Sequence, residues 1–303
     1  MNHLTPAITP LPLPPSLLGE SPLWHPREQV LYWCDIPGRL LNRFDPASGA
    51  HAQWAFEHDL GCCAACDDGT LIVAQRDGLI RFDPADGRRT RITEAPYDTT
   101  VERFNDGKTD AQGRFWVGTI YEPRDAATAS LYRFGPQGLV RVAGDITTSN
   151  GLAWSPDGCT LYWADTKAHV VSAWDFDPAA GVPSNRRVFA QFPLRRPDQA
   201  LDDYTGRPDG AAVDQDGCYW VAMFEGARVL RLSPQGELLQ TLHLPVRCPT
   251  MVCFGGPDLR TLYITTAREK RPADELAAMP WSGCVLQLRV NVPGLPANLV
   301  RSS

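Results

Sequence analysis

A short apolar, aromatic segment recurs six times along this chain: Leu31-Tyr32-Trp33, Leu71-Ile72-Val73, Phe115-Trp116-Val117, Leu161-Tyr162-Trp163, Tyr219-Trp220-Val221 and Leu262-Tyr263-Ile264. Successive starts lie 40, 44, 46, 58 and 43 residues apart. A period in this range marks an array of like units, each too small to bury its apolar surface alone. Turn-rich stretches precede the segments, among them Asp67-Asp68-Gly69, Ser155-Pro156-Asp157-Gly158 and Gln215-Asp216-Gly217. Gly accepts positive φ and Pro presets the preceding bend, so these read as hairpin turns. A further alternating strand and turn follow most segments, as in 41–45 before Pro46-Ala47-Ser48-Gly49 and 79–83 before Pro84-Ala85-Asp86-Gly87.

Four short strands per unit with almost no helical periodicity predict an all-β fold, a six-bladed β-propeller with four-stranded antiparallel blades. A β-sandwich or a two-domain all-β chain would share the short strands and Gly/Pro turns, but not the six-fold recurrence. At 303 residues the chain suits one such domain. The expected organisation is an extended Pro-rich leader over residues 1–17 and a single propeller over residues 18–303. Two connections are long, 194–207 and 269–283, and loops of that length commonly serve as lids or binding loops.

Composition excludes several roles. The 35 acidic against 29 basic residues give a net charge of −6, and no Lys/Arg run suggests a nucleic-acid surface. No apolar stretch approaches the roughly 20 residues that cross a bilayer, and the N-terminus lacks the pattern of a secretory signal. The chain is therefore expected in the cytoplasm, as a monomer or weak homo-oligomer. Nine cysteines, an odd number, read as reduced thiols. Cys62, Cys63 and Cys66 cluster, but no second CxxC or HxxxH completes a zinc set, so core packing of small residues is the expectation.

In a propeller the first strand of each blade lines the central channel, so equivalent repeat positions converge on the axis. Counting back ten or eleven residues from the apolar segments reaches Glu20, Asn105, Asn150 and Asp209 in units one, three, four and five, with Gly61 in the second. Thr250 lies near the same position in the sixth. Two carboxylates and two amides aimed at one buried point call for a cation, and an all-oxygen donor set suits a hard divalent ion. Taken singly, Glu20, Asn150 and Asp209 read equally as turn residues beside glycine; their convergence gives them meaning. Arg103 projects from the same rim, suited to sugar hydroxyls, a carboxylate or a solvated ion pair. Glu122 follows the third apolar segment on a loop, and Asp106 reads as an orienting neighbour of Asn105. The six histidines show no mutual spacing. Neither a Gly-x-Ser-x-Gly elbow nor a phosphate loop is present.

Four motifs in order, Leu18-Gly19-Glu20-Ser21-Pro22-Leu23-Trp24, Arg103-Phe104-Asn105-Asp106-Gly107-Lys108, Ser149-Asn150-Gly151-Leu152-Ala153-Trp154-Ser155 and Arg207-Pro208-Asp209-Gly210, resemble the signatures of the SMP-30/gluconolactonase/regucalcin-like family. The resemblance runs from about Leu18 to Val290. It implies a six-bladed propeller with one divalent metal held by Glu20, Asn150 and Asp209. It implies substrate contacts from Arg103, Asn105 and Glu122, and hydrolysis of a sugar lactone such as glucono-, xylono-, arabinono- or galactonolactone. Ca²⁺ is the first expectation, with Zn²⁺, Mn²⁺, Mg²⁺ or Fe²⁺ as other family metals. The long 194–207 stretch and Tyr121-Glu122-Pro123 depart from the family pattern beside the pocket, which bears on the choice of lactone.

The expected chemistry is water attack on the lactone carbonyl with Asp209 as both metal ligand and general base. The alternatives are a metal-dependent aryl-ester or organophosphate hydrolase and a non-catalytic calcium-binding propeller. Polar Arg103 and Asn105 favour a sugar.

Overall fold

The structure, a computed structural model, describes residues 7–301. Its strands form six separate four-stranded antiparallel sheets, the blades of a propeller. The innermost strands are Gly19–His25, Leu60–Ala65, Glu102–Thr109, Ser149–Trp154, Arg207–Val213 and Cys248–Gly255. The six apolar segments lie in the second strands, Val30–Asp35, Leu71–Gln75, Phe115–Tyr121, Thr160–Asp165, Tyr219–Phe224 and Thr261–Ala267.

These second strands are continuous apolar runs because both of their faces are covered by neighbouring blades. Every residue of Val30–Asp35 and Leu71–Gln75 is buried. One packed cluster joins Tyr32 of the first blade to Val73 of the second, and another joins Tyr162 of the fourth to Val221 of the fifth. Four indoles in these strands find buried acceptors, as a buried Trp N–H requires. Trp33 and Trp163 donate to Ser16 and Ser149 hydroxyls at 3.2 and 2.7 Å, while Trp116 and Trp220 donate to Asp110 and Asp214 carboxylates at 2.8 Å. Outermost strands such as Arg89–Glu94 and Leu238–His243 are largely exposed.

The ring is closed by the N-terminal segment. Thr9–Pro10 pairs antiparallel with Leu286–Arg289 as the outermost strand of the sixth blade, whose other strands come from the C-terminal end of the chain. Proline is tolerated there because an edge strand has one side without ladder bonds. Leu11 follows it into the core, 4% exposed. The segment read as a lead-in thus supplies a blade strand from residue 9; its residues 1–6 lie outside the described residues.

The long connections carry short helices, Leu201–Asp203 in the first and Ala273–Ala278 in the second. Arg247 joins the two. It ion-pairs with Asp202 on one side and lies 3.6 Å from the Glu275 carboxylate on the other. Tyr204 is buried and its hydroxyl sits 3.2 Å from His169 Nε2, which fixes the first connection to the fourth blade. Among the described residues no helix is long and apolar enough to cross a membrane.

Candidate active site

All six innermost strands break register with their neighbours at the same height. The shifts fall between Glu20 and Leu23, Leu60 and Cys62, Phe104 and Gly107, Asn150 and Ala153, Pro208 and Ala211, and Pro249 and Met251. A bulge leaves residues without ladder partners and re-aims their side chains. Here it presents Glu20, Asn105, Asn150 and Asp209 at one level of the channel. At that level the second blade has Gly61, where a Cβ would stand 2.4 Å from the Phe104 carbonyl oxygen. Only glycine allows the strand bearing Asn105 to come so close. Gly151, at φ 63°, turns the chain after Asn150 and leaves its carbonyl to accept from the Tyr219 hydroxyl at 2.8 Å.

Glu20, Asn105, Asn150 and Asp209 are each less than a tenth exposed. Asn105 Nδ2 donates to Asn150 Oδ1 and to the Ser149 carbonyl, both at 2.9 Å. Asn150 Nδ2 donates to Thr166 Oγ1 at 2.8 Å, which fixes which end of that amide faces Asn105. Arg103 NH1 donates to Asn105 Oδ1 at 2.9 Å. Asp106 accepts from Leu152 N at 2.9 Å, tying the third blade to the fourth, while its Oδ1 is buried without a partner. Thr250 closes the ring, donating to the Gly19 carbonyl at 2.5 Å beside Glu20.

The two carboxylates are poorly compensated. Glu20 accepts only the N–H of Ser21, at 3.1 Å, and Asp209 accepts no hydrogen bond from the described residues. Neither has an ion-pair partner among the described residues. Burial drives both upward in pKa, Asp209 to about 8 and Glu20 well above the ordinary range, where the nearby charges of Asp209 and Asp106 add to the burial. Burial also raises Asp106 to about 6 against the opposing charge of Lys108. Such a set holds protons or a cation. No three His, Cys, Asp or Glu side chains gather as a metal cluster among the described residues. The convergent donors are two carboxylates and an amide oxygen, which fit a hard divalent ion with open positions for water.

Residues that the repeat count did not reach ring the mouth. The position just past each second strand holds Ile36, Arg76, Glu122, Thr166, Glu225 and Arg268. Glu122 stands here, exposed, accepting from Arg76 at 2.8 and 3.0 Å and lying 3.5 Å from Arg103 Nε. Arg76 also reaches Asp59 at 2.8 Å. Arg207 donates to Glu225 at 2.8 Å, and Arg271 shares that carboxylate at 3.1 Å. The same repeat that located the axial residues contains these, read from the other end of the second strand.

Lys108 crosses the channel below the site, its Nζ donating to the Ala211 carbonyl at 2.7 Å. Beyond it, at the opposite end, lies a cavity of about 380 Å³ walled by Leu23, Trp24, Trp154, Met251 and Leu295. None of the predicted site residues lines that cavity. Cys62 and Cys63 point into different interblade clusters, so the cysteine triplet does not face one point.

This is a six-bladed propeller with a carboxylate and amide centre on its axis. Residues 18–268 match the family described as the SMP-30/Gluconolactonase/LRE-like region, and the chain belongs to that family. It is 47% identical over 281 residues to the 6-deoxy-6-sulfogluconolactonase of Pseudomonas putida, with 92% of this chain and 94% of that protein covered. It is 35% identical to regucalcin of Danio rerio, covering 92% of this chain and 93% of that one. Among solved structures it is similar to a calcium-binding protein, regucalcin, of Agrobacterium tumefaciens, with TM-score 0.90, 29% identity and 98% of each chain covered.

Proposed function

We propose that this chain is a lactonase that hydrolyses a sugar lactone to the aldonic acid at a divalent metal held by Glu20, Asn150 and Asp209. The observation that carries this reading is the pair of buried carboxylates, Glu20 and Asp209, which share the axis with amide oxygens and lack a protein cation. The donor set suits Ca²⁺ first, with Mg²⁺, Mn²⁺, Zn²⁺ or Fe²⁺ as alternatives. The names of the relatives support the lactone: the 47% identical protein is a 6-deoxy-6-sulfogluconolactonase, so a sulfonated gluconolactone joins the neutral aldonolactones as a candidate.

When bound, the metal supplies Lewis-acid stabilisation of the negative charge that develops on the lactone carbonyl oxygen. Asp209 accepts the proton of the attacking water at a carboxylate oxygen. Arg103 and Asn105 bind sugar hydroxyls, and their mutual bond at 2.9 Å keeps both in register. Glu122, ion-paired to Arg76, accepts from a hydroxyl nearer the mouth. The ring C–O bond then breaks and the proton returns to the alkoxide.

The test is hydrolysis of an aldonolactone panel by metal-stripped protein, followed with a pH indicator, each metal being added back in turn. Restored turnover identifies the metal and the substrate. Tight metal binding without turnover on any lactone would instead favour a binding protein.

A further inference from the structure

The chain as a whole is at −6, yet the rim of the site presents the guanidinium groups of Arg76, Arg103, Arg124 and Arg207. Three of these face protein carboxylates: Arg76 faces Asp59 and Glu122, Arg103 faces Glu122, and Arg207 faces Glu225. The Arg124 side chain makes no ion pair or hydrogen bond with the described residues.

Its loop is fixed by backbone bonds. Tyr121 N donates to the Thr147 carbonyl of the fourth blade at 3.1 Å, and Glu122 N donates to the Val101 carbonyl at 2.9 Å. Arg124 N then donates back to Tyr121 at 3.1 Å, with Arg124 itself in the left-handed region at φ 59°. Because Glu102 and Arg103 pair with Tyr121 and Ile120, this loop leaves the blade at the height of the mouth, above Asn105. Arg207, Arg124 and Arg103 all lie close enough for their charges to act on the axial Asp209 carboxylate.

We propose that Arg124 forms a subsite for an anionic substituent on the lactone, at the end of the sugar remote from the carbonyl. This rests on the lactonase reading above. The carbonyl must reach the level of Glu20, Asn150 and Asp209, so the far end of the sugar lies at the mouth, where Arg124 stands. A planar guanidinium presents paired N–H donors that match a carboxylate, sulfonate or phosphate. A guanidinium already committed to a protein carboxylate must give up that partner to bind an oxyanion, and Arg124 has none to give up.

The experiment compares kcat/KM for glucono-δ-lactone with that for gluconolactones bearing a 6-sulfonate or a 6-phosphate and for a glucaric acid lactone. It uses wild-type protein, Arg124→Gln and Arg124→Lys. Taking the ratio of anionic to neutral substrate within each protein cancels any general loss of activity. The expected wild-type ratio is at least about tenfold in favour of one of the anions, declining with added salt as a screened charge contact does. It falls toward one in Arg124→Gln and is partly kept in Arg124→Lys. The three anions distinguish which oxyanion the subsite takes. A wild-type ratio of one or below, or a preference unchanged in Arg124→Gln, overturns the subsite while leaving the lactonase standing. Failure to hydrolyse any of the lactones overturns the lactonase reading and this one with it.

Discussion

Asn105 donates through Nδ2 to the side-chain oxygen of Asn150 at 2.9 Å, linking the third and fourth blades at the level of the axial carboxylates. The bond is one link in a chain that runs from Glu122 through Arg103 and Asn105 to Asn150 and Thr166. Partners of this kind orient ligands, and losing one typically costs 10- to 100-fold in affinity or activity. Asn105→Ala is therefore expected to lower kcat/KM by about 10- to 100-fold while metal uptake, measured by calorimetry, persists. Unchanged kinetics would show that Asn150 keeps its orientation through Thr166 alone.

Asp209 is expected to trade stability for function. Asp209→Asn should abolish tight metal uptake and cut turnover by at least about 100-fold, the scale of a lost general base. It should also raise the melting temperature of the metal-free protein, because it removes a buried carboxylate that no protein group neutralises. A fall in that melting temperature would mean that Asp209 has a stabilising partner.

The metal-free protein should lose stability as pH rises. The folded pKa of Asp209 is raised from 3.8 to about 8, so between those values the folded chain holds a proton that the unfolded chain has released. Stability from this group is full below about pH 4 and is lost through pH 8. Glu20 acts in the same direction, also because of burial. A bound metal competes with those protons, so its stabilising effect should grow from pH 6 to pH 8. Thermal melts with and without metal across that range check both signs, and a metal effect independent of pH would contradict them.

Asp214 is a structural counterpart. It is fully buried and accepts from Trp220 Nε1 and Arg231 Nε, both at 2.8 Å, and from Cys218 N at 2.9 Å. Asp214→Ala leaves the Trp220 indole N–H and Arg231 Nε without their acceptor, with only the exposed Asp216 carboxylate still on the guanidinium at 3.1 Å, which should cost about 3–5 kcal/mol in urea unfolding. A loss under about 1 kcal/mol would mean that water reaches these donors.

The apolar second strands were legible in the sequence because each is covered on both faces, so their aromatic and aliphatic residues run without interruption. Tyr32 and Trp163 show why this works: burial by neighbouring blades permits only such side chains, and the constraint recurs with each unit. The axial residues were legible for a related reason. Glu20, Asn105, Asn150 and Asp209 occupy one repeat position, and a ring of like units brings one position to one point.

The mouth was less legible. Arg76 and Glu122 share the repeat position just past the second strand, but that position holds Ile, Arg, Glu or Thr according to the blade, Arg124 lies further along a single loop, and the ion pair of Glu122 with Arg76 crosses from one blade to the next. The role of Thr9–Pro10 was hidden for another reason, since its partner strand lies more than 270 residues away at Leu286–Arg289.

The sequence by itself determined the blade count and the residues that converge on the axis, since both follow from a period, and a period is a local property repeated. Only the tertiary structure decided which charges are compensated. Glu20 and Asp209 are left without cations while Glu122 takes two arginines, because compensation depends on distances between blades that no spacing along the chain encodes.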